Sequence, residues 1–343
     1  MMTCTIIKQF YNNFSFKFFI CYLLFFPWIV AQTHIPADPY YLLITERAQF
    51  NGQLPLQPHI FRPLFHKTDL PAFSFTLRNE SYYNDNAPNQ ENMDVRYFSK
   101  GLANFTSLQL ALNSNYFSFI VEPYITQEKF VPVQSISRPD VFSKLNDRSL
   151  NSSEKPRNSG FRNTLAFIHY KGIGFGWHKG NRWWGPGIHS SLQMTNNTQG
   201  FPAQIIGTIK EIRLGSFGLY GLYTFTKINE RSGIHAKYFT SINGQLSWYG
   251  PFVLSLGFSR NYLTGGMKLS GGYQWTEKDA KNIIFEGIFI KNLVDQEYTV
   301  GGHDMWDQTL SGYVSLTFPN KGLKLYLEIG QNDNRMHFAD FLS

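Results

Sequence analysis

Leu310-Ser311-Gly312-Tyr313-Val314-Ser315-Leu316-Thr317-Phe318, followed by Pro319-Asn320-Lys321-Gly322 and then Leu323-Lys324-Leu325-Tyr326-Leu327-Glu328-Ile329, sets how the rest of this chain is read. Leu310, Gly312, Val314, Leu316 and Phe318 alternate with Ser311, Tyr313, Ser315 and Thr317. After the Pro-Asn-Lys-Gly break the alternation resumes, with Leu323, Leu325, Leu327 and Ile329 set against Lys324, Tyr326 and Glu328. Successive side chains of a strand point to opposite faces, so this period of two describes strands with one apolar and one polar face. Two such runs joined by a turn-forming tetrapeptide predict a hairpin.

The same period recurs upstream. Phe252, Leu254, Leu256 and Phe258 alternate with Ser255, Gly257 and Ser259, and Phe217, Leu219, Tyr223 and Phe225 do so less cleanly against Ser216, Gly218, Thr224 and Thr226. Further strands are expected near 73–83, 92–101, 105–113, 116–125, 163–178, 202–212, 235–248, 268–276 and 283–293, with one short helix over 40–50. A stretch rich in Ser, Asn, Pro and charge near 126–162 reads as a loop or plug.

Composition says where such strands belong. Aromatic residues make up 17% and charged residues 16%, yet the mean hydropathy is slightly negative at −0.26, so apolar and polar residues must be interleaved. A transmembrane strand needs only about 9–11 residues with every second one facing lipid, which keeps the average hydropathy modest. The expected fold is all-β, an antiparallel transmembrane β-barrel of the outer-membrane type. The pattern yields about fourteen candidate strands. The chain stops at Asp340-Phe341-Leu342-Ser343, beyond the last of them, without a closing strand that ends on an aromatic residue. An open strand edge is not tolerated in lipid, so the barrel reads as incomplete at the C-terminus, a truncated product.

Export is predicted from the start of the chain. Lys8 and Lys17 precede the apolar run 18–30, Ile29-Val30-Ala31 follows, and no acidic residue interrupts it. This is a secretory signal peptide over 1–31, leaving 32–343 as the mature barrel. Both cysteines, Cys4 and Cys21, fall inside the leader, so neither a disulfide nor a thiolate metal site is expected in the mature chain. Without Lys8 and Lys17 the formal net charge of +7 becomes +5, a mild lean towards anionic partners. No clustered basic run of the nucleic-acid-binding kind is present.

From residue 202 onward, short turns at 213–216, 249–251, 277–282 and 319–322 alternate with segments at 229–234, 264–267 and 294–307. Outer-membrane barrels turn tightly on the periplasmic side and carry their longer loops outside. Counting back one strand places outside a segment of unusual composition, Asn181-Arg182-Trp183-Trp184-Gly185-Pro186-Gly187-Ile188-His189-Ser190-Ser191-Leu192, which continues through Thr195-Asn196-Asn197 to Gly200-Phe201-Pro202. Gly185, Pro186 and Gly187 suit a fixed, sharply turning loop. The indoles of Trp183 and Trp184 either stack on the C–H faces of sugars, beside an Arg182 fork suited to acidic glycans, or pack under the loop or at the membrane interface.

This segment resembles the signature of the Wzi-type capsule assembly proteins. The resemblance implies an outer-membrane lectin barrel of eighteen strands, with short N-terminal helices against its periplasmic end, that helps to hold capsular polysaccharide on the cell. It implies Arg182, Trp183, Trp184 and His189 as polysaccharide contacts. The outward segments add Arg231, His303, Asp304 and Trp306 as secondary contacts. The expected partners are capsular or other surface polysaccharide and outer-membrane lipid.

Catalysis is not predicted. His303, Asp304 and Asp307 could be drawn as a metal or acid–base group, but loop polarity explains them. No His-x-x-x-His pair, nucleophile elbow or Gly-rich phosphate loop occurs. Glu122 and Glu328 fall on polar-facing strand positions and are expected to line the lumen. No catalytic residue, metal or cofactor is expected. The alternative functional reading is a porin-like diffusion channel with a polar lumen and no specific glycan; a third is a soluble secreted β-protein that binds or cleaves glycans.

Overall fold

The hairpin read from 310–329 is present. In a computed structural model, β15 (Trp306–Phe318) and β16 (Leu323–Asn332) pair antiparallel, with Leu316 opposite Leu325 and Phe318 opposite Leu323. The connection is a 3-10 turn over Pro319–Lys321 closed by Gly322, whose φ of 59° is left-handed. The structure describes residues 34–65, 72–86, 93–130, 157–196, 199–229, 236–265 and 306–332. The expected leader over 1–31 and the strands expected at 268–276 and 283–293 lie outside the described residues, as does most of the 126–162 segment.

The chain opens with β1 (His34–Ile35), α1 (Pro39–Phe50), β2 (Phe61–Arg62) and β3 (Leu64–Phe65). Long strands follow: β4 (Ala72–Asn84), β5 (Gly101–Asn113), β6 (Phe117–Gln127), β7 (Ser159–Tyr170) and β8 (Ile173–Gly180). After the short β9 (Trp183–Trp184) come β10 (Phe201–Thr208), β11 (Ile212–Leu214), β12 (Phe217–Asn229), β13 (Ala236–Tyr249) and β14 (Val253–Gly265), ahead of β15 and β16. One 12-stranded sheet runs in the order β4-β5-β6-β7-β8-β10-β12-β13-β14-β15-β16, with β11 beside β12. Neighbours along this path follow chain order and pair antiparallel, so alternate connections fall at the same end of the sheet. One end carries 114–116, 171–172, 209–216, 250–252 and 319–322; the other carries 85–100, 128–158, 181–200, 230–235 and 266–305. The connections at 85–100 and 181–200 are longer than any at the opposite end, whereas 230–235 is shorter than 209–216.

Three strand expectations need correction. The run at 163–178 is two strands, because Lys171 and Gly172 take φ of 52° and 100° and make a two-residue hairpin turn. The run at 92–101 is not a strand over 93–100: Asp94 has φ of 65°, Phe98 makes only an isolated bridge, and β5 starts at Gly101. The run at 202–212 breaks after Thr208, and β11 is a separate short strand.

The two faces of the sheet are inverted relative to a water-soluble protein. On β15, Ser311, Tyr313 and Ser315 are buried, while Val314 on the opposite face is exposed. On β16, Leu323, Leu325, Leu327 and Ile329 are exposed, and on β14 Ser255 and Ser259 are buried while Leu256 and Phe258 are exposed. At the other side Phe73, Phe75 and Leu77 of β4, Ile168 of β7, and Phe175 and Trp177 of β8 are exposed too, while the covered face there also buries apolar residues such as Phe105, Ile120, Leu165 and Phe167. Buried polar side chains on the covered face satisfy one another: Ser255 with Ser247 at 3.1 Å, Gln245 with Ser247 at 3.0 Å, and Asn243 with Ser241 at 3.0 Å.

What covers that face is the 34–65 segment. Asp38 caps α1 by accepting from the Tyr40 N–H at 3.0 Å, Pro39 supplies a helix-ready φ at the first turn, and the helix buries Leu42, Thr45 and Gln49. Phe65 of β3 packs with Ile120, Leu165, Phe167 and Ile205. Phe61 of β2 stacks on Tyr220 at 5.5 Å and meets Tyr313 edge-on at 5.6 Å, so one residue touches both β12 and β15.

Candidate functional site

The Arg-Trp-Trp segment leaves the end of β8 on the side of the long connections but turns back over the covered face. Trp183 and Trp184 form β9, and β9 pairs with β2: Phe61 lies opposite Trp184 and Arg62 opposite Trp183. The ladder continues on both sides, with Gly185 N–H donating to Ile60 at 2.9 Å and Trp184 N–H donating to Met194 at 3.1 Å. Gly185 has φ of 150°, and a Cβ there would stand 2.2 Å from Ser191 Oγ and 2.9 Å from the Glu328 carboxylate. The Gly-Pro-Gly turn is therefore fixed by close approach as well as by backbone conformation.

This geometry corrects the expectation that Arg182, Trp183 and Trp184 are displayed outside. Trp183 is 0%, Trp184 1% and Arg182 3% exposed. The Arg62 guanidinium lies 4.9 Å from the Trp183 ring centroid, and Trp184 stacks with Phe239 at 6.3 Å. Tyr313 Oη donates to the Trp184 carbonyl at 3.3 Å. The arginine spreads over Phe201 at 4.6 Å and donates to the carbonyls of Gly180, Phe201 and His178 at 3.3, 3.2 and 3.2 Å. The physical reason is that a Trp pair next to an apolar strand gains more from burial than from standing in water. Of the other expected contacts, His189 is exposed on the same loop. Trp306 opens β15 opposite Thr264, and Arg231, His303 and Asp304 lie outside the described residues.

Beside the buried arginine is a cleft of about 190 Å³ whose walls include Asn181, Arg182, Gln193, Thr195 and Phe201. The Asn181 side-chain amide nitrogen is buried and has no hydrogen-bond partner among the described residues. Gln193 is anchored, donating to Ser311 at 2.5 Å and accepting from Thr309 at 2.7 Å and from Asn261. An aromatic wall with fixed amide and hydroxyl groups is the surface that recognises sugar hydroxyls and C–H faces.

Charged residues tie the covering segment to the sheet, and the sequence reading did not anticipate them. Asp38 receives Arg78 of β4 at 2.7 Å and Arg162 of β7 at 3.4 Å; Arg162 also bonds Asp94 at 2.5 Å and Glu122 at 2.8 Å. Burial works against the Asp38 charge, but Arg78 and Arg162 more than offset it and hold the carboxyl at about 2. Glu46 of α1 pairs with Lys324 of β16. Glu128, just after β6, is pushed up to about 7 by burial. Glu122 is buried and accepts from the Gln109 amide at 3.1 Å, and the half-buried Glu328 accepts from the Leu192 N–H at 2.9 Å. Among the described residues no group of three His, Cys, Asp or Glu side chains is arranged to hold a metal ion.

No protein-family model matches this chain, and no curated protein matches it either.

Proposed function

We propose that this chain is an outer-membrane β-barrel with a filled interior, and that the long connections at one end bind capsular or other surface polysaccharide. The observation that carries the reading is the inversion of the sheet: apolar side chains stand exposed along strand after strand, while serines, amides and ion pairs are covered. Burying one Val, Leu, Ile or Phe side chain is worth about 1.5–3 kcal/mol, so a face built this way belongs against hydrocarbon. Closure is supported by the edges. Arg78 of β4 and Lys324 of β16 both pair with the Asp38 to Glu46 stretch at α1, which spans about 12 Å of helix rise. The position of α1 beside Lys324 and the 319–322 turn fits a helix at the periplasmic end.

Polysaccharide binding rests on the motif resemblance and on the cleft of Asn181, Gln193, Thr195 and Phe201 at the end with long connections. Weak contacts repeated along a polymer would add by avidity. A diffusion channel is disfavoured by the covering of the sheet by residues 34–65 and 181–196. Cells lacking the protein should shed capsule into the medium, and steady conductance of the purified protein in planar bilayers should be small. Unchanged capsule retention would overturn the binding function; a large open-channel current would overturn the filled interior.

A further inference from the structure

A second cavity, of about 20 Å³, lies under the covering segment and is lined by His34, Arg62, His178, Arg182 and Tyr220 among apolar neighbours. It has room for one water-sized body. Arg62, Arg182, His34 and His178, each at most 3% exposed, line it; burial keeps His178 neutral, and no carboxylate among the described residues lines the cavity. Among the described residues Arg62 donates from Nη2 to the Gly187 carbonyl at 3.3 Å, while its buried Nε and Nη1 have no hydrogen-bond partner. Arg182 spends its hydrogen bonds on backbone carbonyls. The carboxylates nearest in charge effect to Arg62 are Glu46 and Asp38, and these are engaged by Lys324 and by Arg78 and Arg162. Burial lowers both arginines only to about 9, so both remain cationic at neutral pH. Burying two guanidinium groups without a counter-charge is strongly unfavourable.

We propose that this cavity is a binding site for a small monatomic anion of the chloride class, held between Arg62 and Arg182. Both arginines line the cavity, two Arg62 donors have no hydrogen-bond partner among the described residues, and the space suits a single small ion. Bound there, the anion links the covering segment to the Arg-Trp-Trp loop, since one arginine comes from each. The proposal does not require glycan binding, although Arg182 also forms part of the wall of the neighbouring cleft.

The test uses the full chain folded in detergent micelles, with thermal unfolding followed in sodium chloride or sodium gluconate at equal ionic strength. The expected result is a saturable upward shift of Tm in chloride beyond that in gluconate, abolished in Arg62→Met and in Arg182→Met. Coincident chloride and gluconate curves, or a folded Arg62→Met variant that keeps the chloride shift, would overturn the proposal. Should either variant fail to fold, crystals of the unaltered protein grown in sodium bromide decide it: an anomalous peak between the two guanidinium groups is expected, and its absence there overturns the site.

Discussion

Arg62 and Trp183 face each other across the β2–β9 ladder with the guanidinium carbon 4.9 Å from the indole centroid, so a residue from the start of the chain occupies the ring face that a sugar would need. The pair makes the Arg-Trp-Trp segment part of the interior. Trp183→Ala and Trp184→Ala should each destabilise the fold by about 3–5 kcal/mol, the cost of emptying a buried aromatic site. Urea titration of the folded protein measures it. A loss below about 1 kcal/mol in both variants, as for an exposed loop residue, would sink this assignment.

Asp38 gives a pH dependence with a defined sign. Its carboxyl is held at about 2 against an ordinary value of 3.8, so its contribution is fully present above about 4 and is lost as pH falls towards 2. The contribution is on the order of 2 kcal/mol. Unfolding midpoints compared between pH 5 and pH 2 should fall more steeply in the unaltered protein than in Asp38→Asn, and parallel profiles would refute the linkage.

The open face can be tested with one charge. Phe258 stands exposed near the middle of β14, and Phe258→Arg should reduce the stability of vesicle-folded protein by about 2–4 kcal/mol if that position lies at the bilayer midplane. A face that meets water would accept the same change within about 0.5 kcal/mol.

Gly185→Ala should destabilise the loop by more than about 1 kcal/mol, because the backbone there has φ of 150° and the added methyl group meets Ser191 and Glu328. Glycine-to-alanine replacement at Gly312, where a Cβ would meet nothing within 4 Å, is the control. Equal midpoints for the two variants would count against a strained turn.

Strands were legible wherever the period of two ran unbroken, as in β14, β15 and β16, because each side chain reports its face locally. The Lys171-Gly172 turn was hidden by apolar residues that continue on both sides of it, although Lys-Gly between Tyr170 and Ile173 is a usable hairpin signal. The cleft lies within the segment singled out by sequence, and packing was one of two readings of its Trp pair, but what the pair packs against was not readable. That burial depends on Ile60, Phe61 and Arg62, over a hundred residues away, and no local pattern announces a partner at that separation. Asp38, Arg78 and Arg162 were missed for the same reason: each is an ordinary polar position until the sheet brings the three together.

The β2–β9 ladder has a mechanical consequence. A covering segment held to its sheet only at one end can be peeled away, but here one strand of the junction belongs to the stretch between β8 and β10 and is anchored in the sheet on both sides. Pulling residues 34–65 from the amino end must break the Asp38 and Glu46 ion pairs and then shear the backbone bonds at Ile60, Phe61 and Arg62, so force applied at that terminus meets a latch near the far end of the withdrawn segment.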